Sequence, residues 1–534
     1  MLFPTYTFAI FFVLVLGVAW RLRSRITAWK IFMLAASLVF YGWWDVRFVA
    51  LLGVSVLFTT VMGMLVGRAQ TAPGRRWAVR WGVIGHLVVL GFFKYWGFFV
   101  DSLITALRPL GLAPTPLLFE VALPIGVSFF TFCAISYLVD IGRGDIEPSN
   151  LLDVGVYLSF FPHLVAGPIV RASEFLPQLL IEPDPLSVDA TRALRLIARG
   201  LFKKVVIANV LAQSLVDPVF AAPTAYGSVD IIAAILGYAA QIYADFSGYT
   251  DIALGVALLL GIRFPENFDR PYAAISLSEF WRRWHMTLSR WLRDYVYIPL
   301  GGNQRGARRT SINLLATMAL GGLWHGAQWT FVIWGTYHGV ALVIERWGRQ
   351  RRRLSRQDRL DTSPRLERLR EELGLSSSHG DVPTIEDLGV AAVDESVKPS
   401  VLADRGPADQ VLTADTAASA PPAQANPWPA RLATFSIVAV GWVLFRSQTV
   451  GDAGQMLWRA VSAWRAPEVL SWSTAFAILV GLGAQLLPPR VGLRLEWEVS
   501  RMPPIVQAVG FTLVLLAVDI LGPQGVAPFI YFQF

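Results

Sequence analysis

Long runs of apolar residues, separated by short polar segments, occupy most of the first 145 residues of the chain. The runs cover residues 6–20, 30–44, 47–67, 81–104 and 117–141. Each is close to, or somewhat shorter than, the ~20 residues that an α-helix needs to cross the hydrocarbon core of a bilayer. The pattern therefore predicts a succession of membrane-spanning helices.

The charges of the connecting segments predict the orientation of these helices. The segments at 21–30 and 68–80 are rich in arginine, whereas the turn between Trp44 and Arg47 is short. Because positive charge accumulates in cytoplasmic loops, both basic segments are expected in the cytoplasm. The run at 6–20 is then an uncleaved first span with its N-terminus outside, since no basic segment precedes it.

Two stretches in the middle of the chain depart from simple apolar spans. Pro162, Gly167 and Pro168 interrupt an apolar stretch that also contains His163. Broken backbone is tolerated at membrane depth only inside the protein or along a cavity, so we expect a re-entrant or cavity-lining segment there. Residues 187–216 combine basic side chains with Leu and Ile, which predicts an amphipathic helix at the cytoplasmic interface.

A later apolar run, residues 229–262, contains two carboxylates, Asp245 and Asp251. They are six residues apart and therefore do not share a helix face. Each is either a buried functional carboxylate or a hydrogen-bond partner between helices.

The composition changes abruptly after residue 346. Residues 347–428 begin with a basic cluster, turn acidic and end rich in Pro, Ala and Ser. This stretch lacks the apolar surface that would offset the entropy of ordering it, so we expect a largely disordered cytoplasmic insert with a short helix at 364–373. Residues 1–346 then form an N-terminal membrane core, which the apolar runs of 429–534 complete. The predicted fold class is an all-α polytopic membrane protein with about 10–13 membrane helices, some of them re-entrant or broken.

Composition and charge agree with a membrane protein. Apolar residues make up 54% of the chain and charged residues only 16%, against about 25% in soluble domains. The net charge of +8 comes from basic residues in short loops between apolar runs, and no nucleic-acid-binding motif is present. We expect the lipid bilayer, and no nucleic acid, as a partner. The single cysteine, Cys133, rules out an intramolecular disulfide.

Two histidines, His285 and His325, lie in a segment rich in tryptophan and glycine, residues 279–346. An ionisable side chain at membrane depth is costly and so indicates a functional site. From the residues alone, His325 is either a base that takes a proton from a hydroxyl group or a core histidine. With a thioester as acyl donor, one base would suffice. Neither a GxSxG elbow nor an HExxH motif occurs, and we expect no metal.

Residues 281–294 show two faces when they are placed on a single helix at 100° per residue. Arg282, Arg283 and Arg290 lie on one face, tryptophan and leucine occupy the other, and His285 lies at the border. The guanidinium groups are expected to bind either lipid phosphates or the phosphates of an anionic cofactor.

Residues 311–346 lie between two basic clusters, which favours the same side of the membrane for both ends. Gly321 and Gly322 interrupt the stretch. We expect a hairpin or broken helix whose deepest point lies near residues 320–326, with His325 inside the membrane. A straight, tilted span is the alternative.

The sequences EFWRRWHMTLSRWLRDYVYIPLGGN and GGLWHGAQWTFVIWGTYHG in this segment resemble the membrane-bound O-acyltransferase family, above all its bacterial alginate O-acetyltransferase subgroup. HLVAGPIVR, QIYADFSGYTDIALG, FPENFDRPY, GWVLFR and the terminal FIYFQF resemble that subgroup too. Together these matches follow the chain in order, except for the insert. The resemblance implies a multi-helix membrane fold in which a cytoplasmic donor channel meets an outer acceptor funnel.

The resemblance also implies a site. The family's essential histidine corresponds to His325 in the WHG motif, and its second histidine corresponds to His285 in WRRWH. Both are therefore expected as catalytic residues, with acetyl-CoA as the acyl donor. The residues expected to bind that donor are Arg282, Arg283, Arg290 and Trp324.

We expect an enzyme of the bacterial inner membrane. It would transfer an acetyl group from cytoplasmic acetyl-CoA to a hydroxyl group of an extracytoplasmic, alginate-like polysaccharide. A partner protein that completes the transfer is the other expected acceptor. One alternative is O-acylation or D-alanylation of peptidoglycan or teichoic acid. An alternative of another class is a proton-coupled transporter with buried Asp and His as a relay. The pairing of WRRWH with WHG and the absence of a visible repeat argue against the transporter.

Overall fold

The computed structural model of the chain describes residues 1–111, 122–361 and 426–521, and the regular structure in those residues is helical throughout. The predicted all-α fold class is confirmed. Most of the predicted insert, including its short helix at 364–373, and the terminal FIYFQF lie outside the described residues.

The chain divides into two compact units. One comprises Met1–Val343 together with Arg431–Phe534, and the other comprises Ile344–Ala430. The domains predicted from composition, 1–346, 347–428 and 429–534, and the disorder of the insert stay predictions. All residues of the candidate site belong to the first unit.

The N-terminal stretch is built from helices that match the apolar runs of the sequence. They are α1 (Tyr6–Leu22), α2 (Ile26–Gly42), α3 (Arg47–Arg68), α4 (Ala72–Leu90) and α5 (Trp96–Leu107). A π turn, Gly91–Tyr95, joins α4 to α5.

The middle stretch contains both long and very short helices. They are α6 (Val127–Arg143), α7 (Leu151–Ser159), α8 (Phe161–Leu164), α9 (Ala172–Phe175), α10 (Ala190–Leu201), α11 (Asn209–Leu211), α12 (Asp217–Ala221) and α13 (Ser228–Leu259). The helices that carry the two histidines and the WHG motif follow. They are α14 (Leu277–Arg283), α15 (Met286–Leu292), α16 (Gly306–His325) and α17 (Trp329–Asp361).

The chain ends in a further group of helices. They are α18 (Trp428–Arg446), α19 (Val450–Ser462), α20 (Trp472–Gly483), α21 (Pro489–Arg501) and α22 (Pro504–Leu521).

Five helical stretches of the described residues are long and apolar enough to cross a membrane, and one bent pair would make a sixth. The five are Arg47–Arg68, Ala72–Leu110, Ala190–Ala221, Ser228–Leu259 and Trp428–Arg446. The chain is a multi-pass membrane protein. Fewer stretches meet this criterion than the about 10–13 helices expected from ~20-residue spans, because apolar helices such as α1 and α2 have only 17 residues.

The prediction of an interfacial helix at 187–216 is wrong. This stretch belongs to a 32-residue candidate span, Ala190–Ala221, that packs against α13. Glycines allow the two backbones to touch: a Cβ at Gly200 would lie 2.5 Å from the carbonyl oxygen of Gly248. Small residues at a helix contact permit this kind of close approach in membranes.

Ion pairs explain how the basic residues of the stretch Ala190–Ala221 can be buried against α13. Lys204 pairs with Asp245, and both side chains are buried. Arg199 and Lys203 bind the two carboxylate oxygens of Asp251 at 2.7 and 2.8 Å. Because each buried charge has a partner, the cost of desolvation is offset. Asp245 and Asp251 were predicted to be either functional carboxylates or partners between helices, and the structure shows them as partners between helices.

The expected broken segment is present between α7 and α9. Only Phe161–Leu164 is helical in it, and residues 160–170 are all buried. His163 packs edge-on against Phe175 and Phe264, and its side chain does not line the cavity described below. Val165 does line that cavity. The segment thus lines the cavity, and His163 is a packing residue.

Candidate active site

The segment WRRWH is not one continuous helix. α14 ends at Arg283, Trp284 is extended, and His285 adopts the left-handed conformation with φ 42° before α15 begins. The two-faced helix predicted at 281–294 is therefore wrong. A left-handed residue other than glycine costs about 1–3 kcal/mol, so neighbouring contacts must hold it.

Asn267 supplies those contacts. Its backbone carbonyl accepts a hydrogen bond from the amide of Met286 at 2.9 Å. Its side-chain Oδ1 accepts from the Thr287 amide at 3.2 Å and from the Thr287 hydroxyl at 2.9 Å. The amides freed where the helix breaks are thus satisfied by one residue. Thr287 Oγ1 in turn accepts from the Ile169 amide of the broken segment at 2.9 Å.

Asn267 also orients the imidazole of His285. The distance from His285 Nδ1 to Asn267 Oδ1 is 3.0 Å. The orientation of the amide is fixed, since Oδ1 faces the two Thr287 donors and Nδ2 donates to the carbonyl of Gly167. Oδ1 can only accept, so Nδ1 carries the hydrogen and Nε2 of the neutral ring carries a lone pair. His285 Nε2 is buried without a hydrogen-bond partner among the described residues, and so it can accept a proton.

His325 is the last residue of α16, and a short turn at residues 326–328 leads into α17. The hairpin expected for this segment is confirmed, and the straight span is wrong. The chain breaks at Gly326, after His325, rather than at Gly321 and Gly322.

Glycines bring the two helices of the hairpin into backbone contact. A Cβ at Gly322 would lie 2.2 Å from the carbonyl oxygen of Phe331, and one at Gly335 would lie 2.2 Å from that of Met318. Because such contacts leave no room for a side chain, the glycines fix how α16 lies on α17 and hence where His325 stands.

Substituting Gly335 by alanine is expected to push this hairpin apart. Overpacking of this kind costs about 1–3 kcal/mol, which should lower the apparent Tm in a thermal unfolding assay in detergent. Gly348 of the same helix is the matched control, because nothing lies within 4 Å of its added Cβ. Gly348→Ala should leave Tm unchanged or raise it, since alanine favours a helix by about 0.5–1 kcal/mol. Equal Tm values for the two variants would contradict the close packing.

Aromatic rings enclose His325. Its ring lies 5.0 Å from that of Trp324, 5.2 Å from Trp334 and 5.3 Å from Phe445, measured between centroids. The Trp324 ring is also 6.1 Å from that of His285. The two histidines predicted as catalytic are thus brought together around one tryptophan.

A cavity of about 260 Å³ borders this group. His325, Trp324 and Lys94 lie in its wall, together with Trp44 and residues 123–129. The charge pattern of the loops puts both the turn at Trp44 and the start of α6 on the outer side of the membrane. The cavity therefore connects His325 with the predicted outer side.

Lys94 and Asn267 are site residues that sequence reasoning missed. Lys94 is a lysine within an apolar run, which by itself indicates function at membrane depth. Its Nζ donates to the carbonyl of Trp324, to that of His325 at 3.3 Å and to the hydroxyl of Ser128 at 3.4 Å. Asn267 lies within the FPENFDRPY motif, to which no role was assigned.

The three arginines predicted to bind acetyl-CoA lie apart from the two histidines and Trp324. They belong to a set of charged side chains on and around α14 and α15, which we call the charged layer. Arg283 pairs with Glu279 at 2.6 Å and Arg290 with Glu174 at 3.2 Å, while Arg282 is exposed. Of the four residues predicted to bind acetyl-CoA, only Trp324 contacts the two histidines.

A neighbouring network in this layer centres on Asp294. Its carboxylate accepts from Arg171 at 2.5 Å and from Arg293 at 2.6 Å. Burial by itself favours the neutral acid, but the hydrogen bonds from Arg293 and Arg171 outweigh it and hold the pKa of Asp294 below its ordinary value. The layer is thus a set of neutralised pairs in which an anionic ligand would compete with carboxylates for the guanidinium groups.

His338 is buried against the rings of Trp334 and Trp281, with centroids 5.1 and 5.2 Å away, which is the environment of a packing residue. Within the described ranges, no three His, Cys, Asp or Glu side chains are grouped so as to hold a metal ion.

Residues 115–362, which carry both histidines and Asn267, match the sequence model of the membrane-bound O-acyltransferase family. The similarity to that family thus covers slightly less than half of this chain. Lys94 lies outside the matched stretch.

Relatives within the family act on different polymers, as their names state. The chain is 46% identical to a probable alginate O-acetylase of Pseudomonas putida over 59% of this chain and 65% of that one. It is 37% identical to a peptidoglycan O-acetyltransferase of Helicobacter pylori over 59% and 64%, and 31% identical to a teichoic acid D-alanyltransferase of Streptococcus thermophilus over 43% and 59%. The matched part thus spans slightly less than two thirds of each relative.

Proposed function

We propose that this protein is an O-acetyltransferase of the bacterial inner membrane. It transfers an acetyl group from acetyl-CoA, bound from the cytoplasm, to a hydroxyl group of an extracytoplasmic polysaccharide of the alginate type. The observation that carries the proposal is the position of His325. It ends a membrane hairpin, adjoins a second histidine through Trp324 and borders a cavity directed to the predicted outer side.

The proposed reaction needs one base. The imidazole of His325 takes the proton of the acceptor hydroxyl, whose oxygen attacks the acetyl carbonyl of the donor. The new C–O ester bond forms, the C–S thioester bond breaks, and the proton passes from His325 to the departing thiolate. His285, held by Asn267 with Nε2 as a proton acceptor, lies beside Trp324 and serves as a relay or as a positioning group for the thiol end of the donor.

The charged layer around α14 and α15 is the proposed entrance for the donor. Guanidinium groups suit the geometry of phosphate, and acetyl-CoA carries phosphates at the end remote from the thioester. Arg282 is exposed, and Arg283 and Arg290 are held by carboxylates that phosphate oxygens would replace.

Replacing Arg282, Arg283 and Arg290 together by glutamine is expected to raise the KM for acetyl-CoA about 10-fold, which corresponds to ~1.4 kcal/mol of lost binding. The kcat should change by less than about twofold, because these residues lie away from the histidines. Arg308→Gln with Arg309→Gln is the matched control, since both side chains are exposed on the same charged side. An unchanged KM in the triple variant would leave lipid phosphates as the partners of these arginines.

The alginate-type acceptor is proposed from the relatives at 43–47% identity. A partner protein on the outer side that receives the acetyl group first is the second proposed acceptor. Peptidoglycan is the other candidate polymer, because the Helicobacter pylori relative matches an equal share of this chain.

Mass spectrometry of cell-surface polymers tests the proposal. A deletion strain carrying the wild-type gene should contain O-acetyl esters on an exopolysaccharide, and the same strain carrying His325→Ala should lack them. Esters lost from muropeptides instead would favour peptidoglycan as the acceptor. Equal O-acetylation of all polymers in both strains would contradict the proposed function.

A further inference from the structure

The end of α16 leaves backbone carbonyls without partners inside the helix. The last four carbonyl groups of any α-helix have no amide of their own helix to accept from, and in the membrane they need another donor. α16 ends at His325, and the next residue, Gly326, is extended, so the last turn of the helix contains Leu323, Trp324 and His325.

Two neighbouring residues of the α4–α5 π turn donate to all three carbonyls. The Tyr95 hydroxyl donates to the carbonyl oxygen of Leu323 at 3.0 Å. Lys94 Nζ donates to the carbonyl oxygens of Trp324 and His325. These residues lie about 230 positions upstream of their acceptors, and π turns of this kind occur often at functional sites.

The ammonium of Lys94 is fully engaged in this arrangement. An ammonium has three donors, and three acceptors surround it: two carbonyls of α16 and the Ser128 hydroxyl of α6. It also lies 5.7 Å from the centroid of the Trp324 ring, within the range of a cation–π contact. Three acceptors for three donor hydrogens fit a role of Lys94 in holding the backbone.

We propose that Lys94 and Tyr95 are positioning residues that clamp the C-terminal end of α16 and thereby fix the imidazole of His325 for acetyl transfer. The inference rests on the proposed function of His325 as the base. Neither residue lies in the stretch that matches the family model. The clamp joins α4–α5, α6 and α16 at the wall of the cavity, so its loss moves the base relative to the acceptor hydroxyl.

The test compares four variants of the full-length protein in lipid nanodiscs. Lys94→Met removes the clamp, Lys94→Arg keeps a cation with several donors, and Tyr95→Phe removes one hydroxyl. Phe92→Leu is the matched control, because Phe92 belongs to the same π turn and is exposed. Two quantities are measured: kcat and KM for acetyl-CoA, and hydrogen–deuterium exchange of the peptide that covers residues 320–330.

Lys94→Met is expected to lower kcat about 100-fold, since a misplacement of about 1 Å costs that much. The KM for acetyl-CoA should stay within about twofold, because the donor entrance is untouched. Exchange at 320–330 should become about 10-fold faster, as local opening of the helix end becomes easier. Lys94→Arg should recover most of kcat, Tyr95→Phe should show a smaller loss, and Phe92→Leu should match the wild type.

A wild-type kcat in Lys94→Met, or wild-type exchange at 320–330, overturns the clamp. If Lys94→Met does not fold, Tyr95→Phe decides: wild-type values of both kcat and exchange overturn the proposal, and a lower kcat together with faster exchange supports it. Failure of the proposed function is a separate result, namely the absence of acetyl transfer in the wild-type protein. In that case the exchange rates alone still decide whether Lys94 and Tyr95 hold the end of α16.

Discussion

Replacing His325 by alanine is expected to abolish acetyl transfer, with kcat lower by about 100-fold to 10,000-fold, the range that a general base contributes. The alanine variant has no imidazole to take the proton of the acceptor hydroxyl, and the side chains whose rings contact that of His325 are Trp324, Trp334 and Phe445, none of which is a base at neutral pH. Initial rates of acetyl transfer by the purified protein, at saturating acetyl-CoA, measure the effect.

His86 provides the matched control for this substitution. Its side chain is also buried, and its Nε2 lies 3.0 Å from the Thr59 hydroxyl, between α3 and α4 and away from the cavity lining. His86→Ala should lower Tm but leave kcat within about twofold of the wild type, as expected for a purely structural change. If both variants lost kcat equally, the loss would reflect packing, and the role of His325 as a base would be wrong.

Replacing Asn267 by leucine is expected to have the largest effect on stability within the site. Three donors lose their shared acceptor: the Thr287 amide, the Thr287 hydroxyl and His285 Nδ1. Each buried donor left without a partner costs about 1–3 kcal/mol, so the variant should be destabilised by at least about 3 kcal/mol. We also expect kcat to fall, because the left-handed turn at His285 is no longer held.

Thermal unfolding monitored by size-exclusion chromatography measures the stability of this variant. Asn303→Leu is the control, since Asn303 is exposed and accepts a single hydrogen bond from Tyr297. The control should unfold near the wild-type temperature. An Asn267→Leu protein with wild-type Tm and kcat would show that the turn at His285 does not depend on Asn267.

The position of the site could be predicted from the sequence because its chemistry is unusual for a membrane protein. Histidines at membrane depth are rare, so His285 and His325 stood out against the apolar runs. The hairpin could be predicted as well, because basic clusters flank residues 311–346 and glycines interrupt this stretch. The structure brings both histidines to Trp324, and their catalytic roles stay predictions.

The break within WRRWH could not be predicted, because its cause lies elsewhere in the chain. The periodicity of residues 281–294 fits a helix, and the hydrogen bonds that Asn267 accepts from Met286 and Thr287 hold the break instead. Tertiary contacts override a local pattern in the same way at 187–216. There, Asp245 and Asp251 of α13 neutralise the basic residues of a helix that alone would lie at the interface.

The arginines predicted to bind acetyl-CoA illustrate a second limit of prediction from the sequence. A helical projection gives the direction of Arg283 and Arg290 but not their partners, and Glu279 and Glu174 hold both guanidinium groups. Lys94 shows the reverse case, because a single lysine in an apolar run indicates function without naming a partner. Its acceptors are the carbonyls of Trp324 and His325, about 230 residues downstream.

The central proposal is that the protein, with His325 as the base, transfers an acetyl group from acetyl-CoA on the cytoplasmic side to an acceptor on the outer side of the membrane. Inverted membrane vesicles, whose cytoplasmic face points outward, test it most directly when they receive acetyl-CoA labelled in the acetyl group. With the wild-type protein, label should accumulate as ester on polymer inside the vesicles, and with His325→Ala it should not. Equal labelling by both proteins, or labelling only when acetyl-CoA is enclosed within the vesicles, would contradict the account.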